Sequence, residues 1–234
     1  MHIKVALLGG TGAEGTGLAL RFAKSGARVF IGSRSKEKAE AAALEIAHRA
    51  GSGDVTGHAN PDAVSQASIV ILTVPLSAQI ETLKSIRGSF ASGAILVDTT
   101  VPLEIAIGGR ISRTISLWDG SAAQQAARLA PEGVSVVAAF HSLSAGALAN
   151  LEKPLECDTL ICGDNPDAKA KVSELAETIP GVRAIDAGPL ENSRFLESSA
   201  ALMIALNLCH KVKHAGLRIT GLGIAGPNIG SVRG

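Results

Sequence analysis

Short apolar runs of strand length alternate along the chain with longer segments whose apolar residues recur at helical spacing. Val5 to Leu8 precedes a helix expected from Thr16 to Ser25, which stops at Gly26, a natural residue to follow a helix. Arg28-Val29-Phe30-Ile31 leads to a helix from Lys36 to about Arg49, with Ala39, Ala42, Ala43, Ile46 and Ala47 on one side. Val55 to His58 reads as a short third strand, and Asn60-Pro61 as a capped helix start running to about Ala67. Ser68 to Pro75 is continuous in β-branched residues, as in a parallel strand buried on both faces. A helix from Ser77 to Ile86 and a strand from Ala94 to Asp98 follow. The signal weakens over 105–117, read as an excursion, then resumes with helix Ser121 to Leu129 and strand Val134 to Phe140. Strand Thr159 to Cys162, a helix opened by Asn165-Pro166, and strand Val182 to Ile185 complete the alternation. Beyond them a single helix is predicted from about Glu191 to Ala215, apolar nearly all round at Ala200 to Leu208 and therefore buried on several faces, within the monomer or in a dimer contact. The tail Gly221 to Gly234 reads as irregular. The pattern predicts an α/β fold: a Rossmann-type, doubly wound, mostly parallel sheet with a small C-terminal helical appendage.

The first turn of that fold carries a fingerprint. Gly10, Thr11, Gly12, Ala13, Glu14 and Gly15 match G-x-G-x-x-G with a strand before and a helix after, the context the motif requires. Its glycines permit a tight turn, close approach to a pyrophosphate and close packing of helix on strand, and the helix start offers free N–H groups to phosphate. Where an NAD enzyme places Asp or Glu at the end of the second strand, this chain has Gly32-Ser33-Arg34, with Lys36 and Lys38 beyond. Ser33, Arg34 and Lys38 suit a 2′-phosphate, so NADP(H) is favoured over NAD(H); the plainer alternative is a basic helix start on a solvated surface. Residues 1–188 are accordingly expected to form the NADP-binding domain, with 189–234 a helical segment and tail.

Ligands of such sheets sit outside the carboxyl ends of the strands. Two of those ends, Thr73-Val74-Pro75 and Thr99-Thr100-Val101-Pro102, combine hydroxyls with fixed prolines and are candidates to line the nicotinamide side, unless they serve turn chemistry alone. A third end delivers His141-Ser142-Leu143. A lone histidine after a strand serves more often as a structural hydrogen-bonder than as a catalyst, yet this one stands where the crevice is expected.

Composition narrows the chemistry. With 234 residues and 46% hydrophobic content the chain can bury a core without staples, and a formal net charge of +1 gives no reason to expect nucleic acid or a membrane surface. No leader precedes the first strand and no apolar stretch is long enough to span a bilayer, so a cytoplasmic protein is expected. Cys157, Cys162 and Cys209 form no C-x-x-C pair and are expected as reduced, buried thiols. No cluster has metal-ligand spacing, so no metal is expected. The absence of tyrosine removes the Tyr general acid of many carbonyl reductases, and neither a nucleophile elbow nor a P-loop lysine is present. Hydride transfer, with the chemistry carried by the cofactor, remains.

The chain resembles the NADPH-dependent reductases of coenzyme F420, an 8-hydroxy-5-deazaflavin. The resemblance rests on Leu8-Gly9-Gly10-Thr11-Gly12 with Gly15, Gly32-Ser33-Arg34 with Lys38, Phe140-His141-Ser142, Ala149-Asn150-Leu151, Cys162-Gly163-Asp164, Glu197, and above all Asp186-Ala187-Gly188-Pro189-Leu190-Glu191-Asn192-Ser193-Arg194. It spans nearly the whole chain. It implies a homodimer or higher homo-oligomer, with NADP(H) held at its 2′-phosphate by Thr11, Ser33, Arg34 and Lys38, and the deazaflavin contacted by His141. Two other readings stay open from the residues: an NADPH-dependent reductase of a flavin, imine or small hydroxy acid, and a non-catalytic NADP sensor.

Overall fold

The computed structural model describes residues 3–51 and 53–222. Eight strands, β1 (Lys4–Leu8), β2 (Arg28–Ser33), β3 (Val55–Ala59), β4 (Ile69–Leu72), β5 (Ile95–Asp98), β6 (Ser135–Ala138), β7 (Cys157–Gly163) and β8 (Val182–Asp186), form one sheet in the order 3-2-1-4-5-6-7-8. All pairs are parallel except β6 with β7. Among the described residues the helices are α1 (Ala13–Lys24), α2 (Lys36–Ala50), α3 (Asn60–Gln66), α4 (Leu76–Ile86), α5 (Ala122–Leu129), α6 (Ala145–Leu148), α7 (Pro166–Glu177) and α8 (Ser193–His210).

Successive strand residues point to opposite faces, which explains why the strands read as unbroken apolar runs. Val5, Leu7, Val29, Ile31, Ile69 and Ile71 pack in one cluster with Leu18 and Phe22 of α1, Ile46 of α2 and Val172 of α7. Ala6, Leu8, Phe30, Val70, Leu72 and Leu96 pack in the other with Val64 of α3, Ile86 of α4, Ala123 of α5 and Leu196 of α8. The winding reverses at β1, which lies between β2 and β4, and a crevice at such a switch point is where ligands bind.

Four expectations change. Helix α1 begins at Ala13, three residues early, because Gly12 N–H donates to Gly9 O (2.8 Å) and Gly12 O already accepts from Thr16 N–H (2.8 Å). Asn60 is not a cap: Ala59 holds that position, and Asn60 Oδ1 is buried without a partner. Helix α8 starts at Ser193, after a 3-10 turn over Leu190–Asn192, and stops at His210 instead of reaching Ala215. Asn207 ends it, since its carbonyl accepts from Val212 N–H (3.0 Å) and its Oδ1 from Ala215 N–H (3.0 Å), folding 211–215 back along the helix. Its own chain covers only part of it, for Leu202 is 55% exposed. Of the three thiols only Cys157 and Cys162 are buried; Cys209 is exposed. The excursion over 105–117 holds a 3-10 turn (Glu104–Ile107) and one bridge, Leu103 to Thr114, and the expected irregular tail lies, from residue 223, outside the described residues. No helix among the described residues is long and apolar enough to cross a membrane.

Candidate active site

The glycine turn is built as the fingerprint demands. Gly9 takes φ +85°, and a Cβ on Gly15 would lie 2.6 Å from both Gly9 O and Thr73 Oγ1, so only glycine lets α1 approach β1 and β4 this closely. No side chain caps α1 at Gly12, leaving its first N–H groups and positive dipole end directed at the crevice. Such an uncapped helix start fits a pyrophosphate.

Pairing of Leu8 with Gly32 brings the end of β2 beside this turn. Ser33, half-buried, closes the strand; Arg34 and Lys38 are exposed, and among the described residues neither makes an ion pair. Lys36 is engaged by Glu40 at 3.7 Å. Ser35 has a structural duty, its hydroxyl accepting from Lys38 N–H as the cap of α2. Two free cations beside a serine hydroxyl fit a phosphate monoester.

At the other end of the crevice a cavity of about 500 Å³ is lined by Gly12, Ala13, Glu14, Thr73 to Pro75, Thr99 to Val101 and His141 to Ala145, and closed by Ala200, Met203, Ile204, Asn207 and Ala215. The predicted Thr73, Val74, Pro75, Thr99, Val101, His141, Ser142 and Leu143 thus meet on one wall system, with Ala13 and Glu14 of the turn. Gly10, Thr11 and Gly15 belong to the turn beside it, while Ser33, Arg34 and Lys38 stand apart at the β2 end. A cavity of about 700 Å³ opens at the opposite edge of the sheet, by Lys4, Arg28, Ile69 and Ile95, and contains none of them.

His141 is delivered by a strained backbone. Phe140 has φ +69°, uncommon for a bulky residue and a mark of a position fixed by its surroundings. Its N–H donates to Thr159 Oγ1 (2.9 Å) and its ring meets Phe22 edge-on, 5.9 Å between centroids. The Ser142 hydroxyl donates to Asp158 O (2.6 Å). His141 itself is 8% exposed, and neither ring nitrogen has a hydrogen-bond partner. Burial pushes its pKa down to about 4, opposed only weakly by the Thr100 backbone. A neutral imidazole retains one N–H donor and one acceptor nitrogen, so a buried, unpaired ring on a cavity wall is a fit for a polar ligand edge.

Behind this wall lies a polar network that the periodicity does not show. Asp98, fully buried at the end of β5, accepts from Thr100 Oγ1 (2.8 Å) and Gln79 Nε2 (3.0 Å). Gln79 also donates to Ala122 O (3.0 Å) and accepts from Gln125 Nε2 (2.6 Å). Glu197 of α8 closes the chain by accepting from Ala122 and Ala123 N–H at 3.1 and 3.2 Å. Burial raises Asp98 to about 7, and raises Glu14 and Glu197 each to about 8, with the Asp98 charge adding to both. A lone Gln79 in an amphipathic helix and a lone Glu197 in an apolar one were the available signals. The α8 residues facing the cavity carried none.

The segment 186–194 takes no part in the cavity. Asp186 pairs with Lys169 (2.8 Å) and accepts from Gly188 N–H (2.9 Å), Asn192 donates to Ala187 O (2.8 Å), and Ser193 Oγ donates to Ser121 Oγ (2.7 Å). It is a hook that seats α8 on the sheet.

Comparison with known proteins supplies the family. Residues 4–102 match the family described as NADP oxidoreductase, coenzyme F420-dependent. The chain is 49% identical over 225 residues to an F420-dependent NADP reductase of Methanothermobacter thermautotrophicus, covering 95% of this chain and 97% of that one. To the F420-dependent NADP reductase of Methanocaldococcus jannaschii it is 42% identical over 226 residues, 95% and 100% of the two chains. Among solved structures, a candidate F420-dependent NADP-reductase from Arthrobacter sp. FB24 superposes with a TM-score of 0.79 at 23% identity, over 94% of this chain and 100% of that one, which shows a shared fold.

Proposed function

The chain belongs to the F420-dependent NADP reductases, and from that premise we propose that its cavity is where hydride passes between NADP(H) and coenzyme F420. The observation that carries this site is the convergence of the uncapped α1 start, the β4 and β5 ends and the unpaired His141 ring on one cavity. In this reading Thr11, Ser33, Arg34 and Lys38 hold the 2′-phosphate, Gly10, Gly12, Ala13 and Gly15 surround the pyrophosphate approach, and Glu14 lines the cavity toward the nicotinamide with Thr73 and Thr99. Thr73 to Pro75, Thr99 and Val101 flank the nicotinamide, and His141, Ser142 and Leu143 face the deazaflavin.

The two cofactors supply the redox chemistry. The chain's share is to hold two flat rings with donor and acceptor carbons about 3–3.5 Å apart, an arrangement that removes much of the barrier. Met203 and Ile204 exclude water above the rings. The neutral His141 ring, buried without a partner on the cavity wall, would donate its N–H to the polar edge of a bound deazaflavin and steady charge there without giving up its proton. No tyrosine or other strong acid is needed.

Residues 1–188 then act as the NADP-binding domain and 189–234 as the C-terminal helical segment and tail, from which Ala200 to Ala215 supply the cavity's closing side, in a cytoplasmic homo-oligomer. Mixing the protein with NADPH and oxidised F420 tests the function, with NADH and FMN run beside them. NADPH-selective loss of the deazaflavin absorbance is expected. Tight NADPH binding without turnover of F420 would overturn the reaction and leave only the cofactor site.

A further inference from the structure

We infer that Glu14 makes this site discriminate between the two oxidation states of its nicotinamide cofactor, its carboxylate favouring the cationic oxidised ring over the neutral reduced one. The inference rests on NADP(H) occupying the cavity proposed above. Glu14 is the second residue of α1 and lines the cavity with Thr73 and Thr99, beside the strand ends assigned to the nicotinamide.

The charges around it leave it uncompensated. Asp98 on β5 acts on Glu14 through its charge, and His141 after β6 shares the cavity; one is an acid and the other a neutral ring, while Glu197 on α8 lies beyond Asp98 in the buried network. Among the described residues no lysine or arginine lines the cavity. Asp98 Oδ2 is buried behind Thr99 without a partner. A carboxylate placed so meets a positive ring as its nearest counter-charge, in surroundings that screen little.

Glu14 is half-buried as a residue, but burial of its carboxyl, opposed by the Thr99 hydroxyl and reinforced by Asp98, raises its pKa to about 8. The discrimination is therefore proton-linked. Below that pH the carboxyl is neutral and indifferent to ring charge; above it the anion binds NADP+ in preference. Binding of NADP+ near neutral pH expels the Glu14 proton to solvent, whereas binding of NADPH leaves it in place. The phosphates of the cofactor repel the anion in both oxidation states alike and cancel from the ratio.

Equilibrium titrations of the whole protein with NADP+ and with NADPH, without F420, from pH 6 to pH 9.5 test this. The ratio Kd(NADPH)/Kd(NADP+) is expected to rise by about tenfold across pH 8, equivalent to about 1.4 kcal/mol, and to stay flat in Glu14→Gln. Weakly buffered wild-type protein at pH 7 should release protons on adding NADP+ and fewer on adding NADPH. A flat wild-type ratio, a slope that persists in Glu14→Gln, or equal proton release overturns the inference. Failure to bind either nucleotide overturns the cavity assignment as well, so the two failures are distinct.

Discussion

Arg34 and His141 represent two kinds of residue in this site. Arg34 is exposed and makes no ion pair among the described residues, and its proposed role rests on its position at the end of β2. Charge-assisted hydrogen bonds to a phosphate contribute about 1.5–3 kcal/mol, so Arg34→Ala should raise the KM for NADPH by about 10- to 100-fold while leaving that for NADH nearly unchanged. Steady-state kinetics with both nucleotides decides it; equal losses would place the 2′-phosphate elsewhere. The glycines were legible for the same reason as Arg34, since a motif within thirty residues fixes its own geometry. His141 was legible as a position but not as a state. Nothing in the sequence says that a left-handed Phe140 turns it into the cavity, nor that both ring nitrogens lack partners. Glu14 entered as one letter of a glycine motif, and its pKa is raised by burial in the folded chain and further by Asp98, more than eighty residues away in sequence.

At the scale of elements, α5 and α8 are joined by one carboxyl. Glu197 satisfies two amides at the α5 start, and burial nonetheless lifts its pKa to about 8 against their pull. A group whose folded pKa lies above its unfolded value gives stability that is complete below the unfolded value and lost as pH rises through the folded one. Glu197, Glu14 and Asp98 all act in that direction, whereas His141, lowered to about 4, is neutral in both states above pH 6.5. Between pH 6.5 and 8 Glu197 alone should cost about 2 kcal/mol, and Tm should fall by several degrees from pH 6.5 to 9. Glu197→Gln should flatten that fall, as thermal melts across the range would show; an unchanged slope would mean that Glu197 is ionised throughout. The existence and type of these elements followed from periodicity alone. Their ends did not, because α1 is opened by hydrogen bonds within Gly9–Thr16 and α8 is closed by the Asn207 side chain. The segment that weighed most in the resemblance, 186–194, is in the structure a joint between elements, and a motif cannot announce whether it serves chemistry or carpentry.

For the molecule as a whole, alternation of strand and helix was enough to foresee a doubly wound sheet, but not the antiparallel return of β7, which is defined by two residue pairs with β6, Val137 with Gly163 and Ala138 with Cys162. Nor did the apolar centre of α8 say which sides its own chain covers. Met203 is buried against the cavity, while Phe195 and Leu202, seven residues apart and so on one side of the same helix, remain 60% and 55% exposed. A face of that kind on a single helix suits a second copy of the chain. Leu202→Glu should shift the protein toward monomer in light scattering behind size exclusion, and an unchanged mass would place any oligomer contact on another surface.

Arg21 of α1 is 3% exposed and gives its guanidinium to the carbonyls of Ala147, Leu148, Asn150 and Lys153. The helix whose first turn faces the phosphates therefore carries, on its third turn, the connection that leaves His141. One side chain acts as a dowel between the two halves of the reaction site. On the proposed assignment of that cavity, the spacing of its two sides is thus machined into the protein during folding, before either coenzyme arrives.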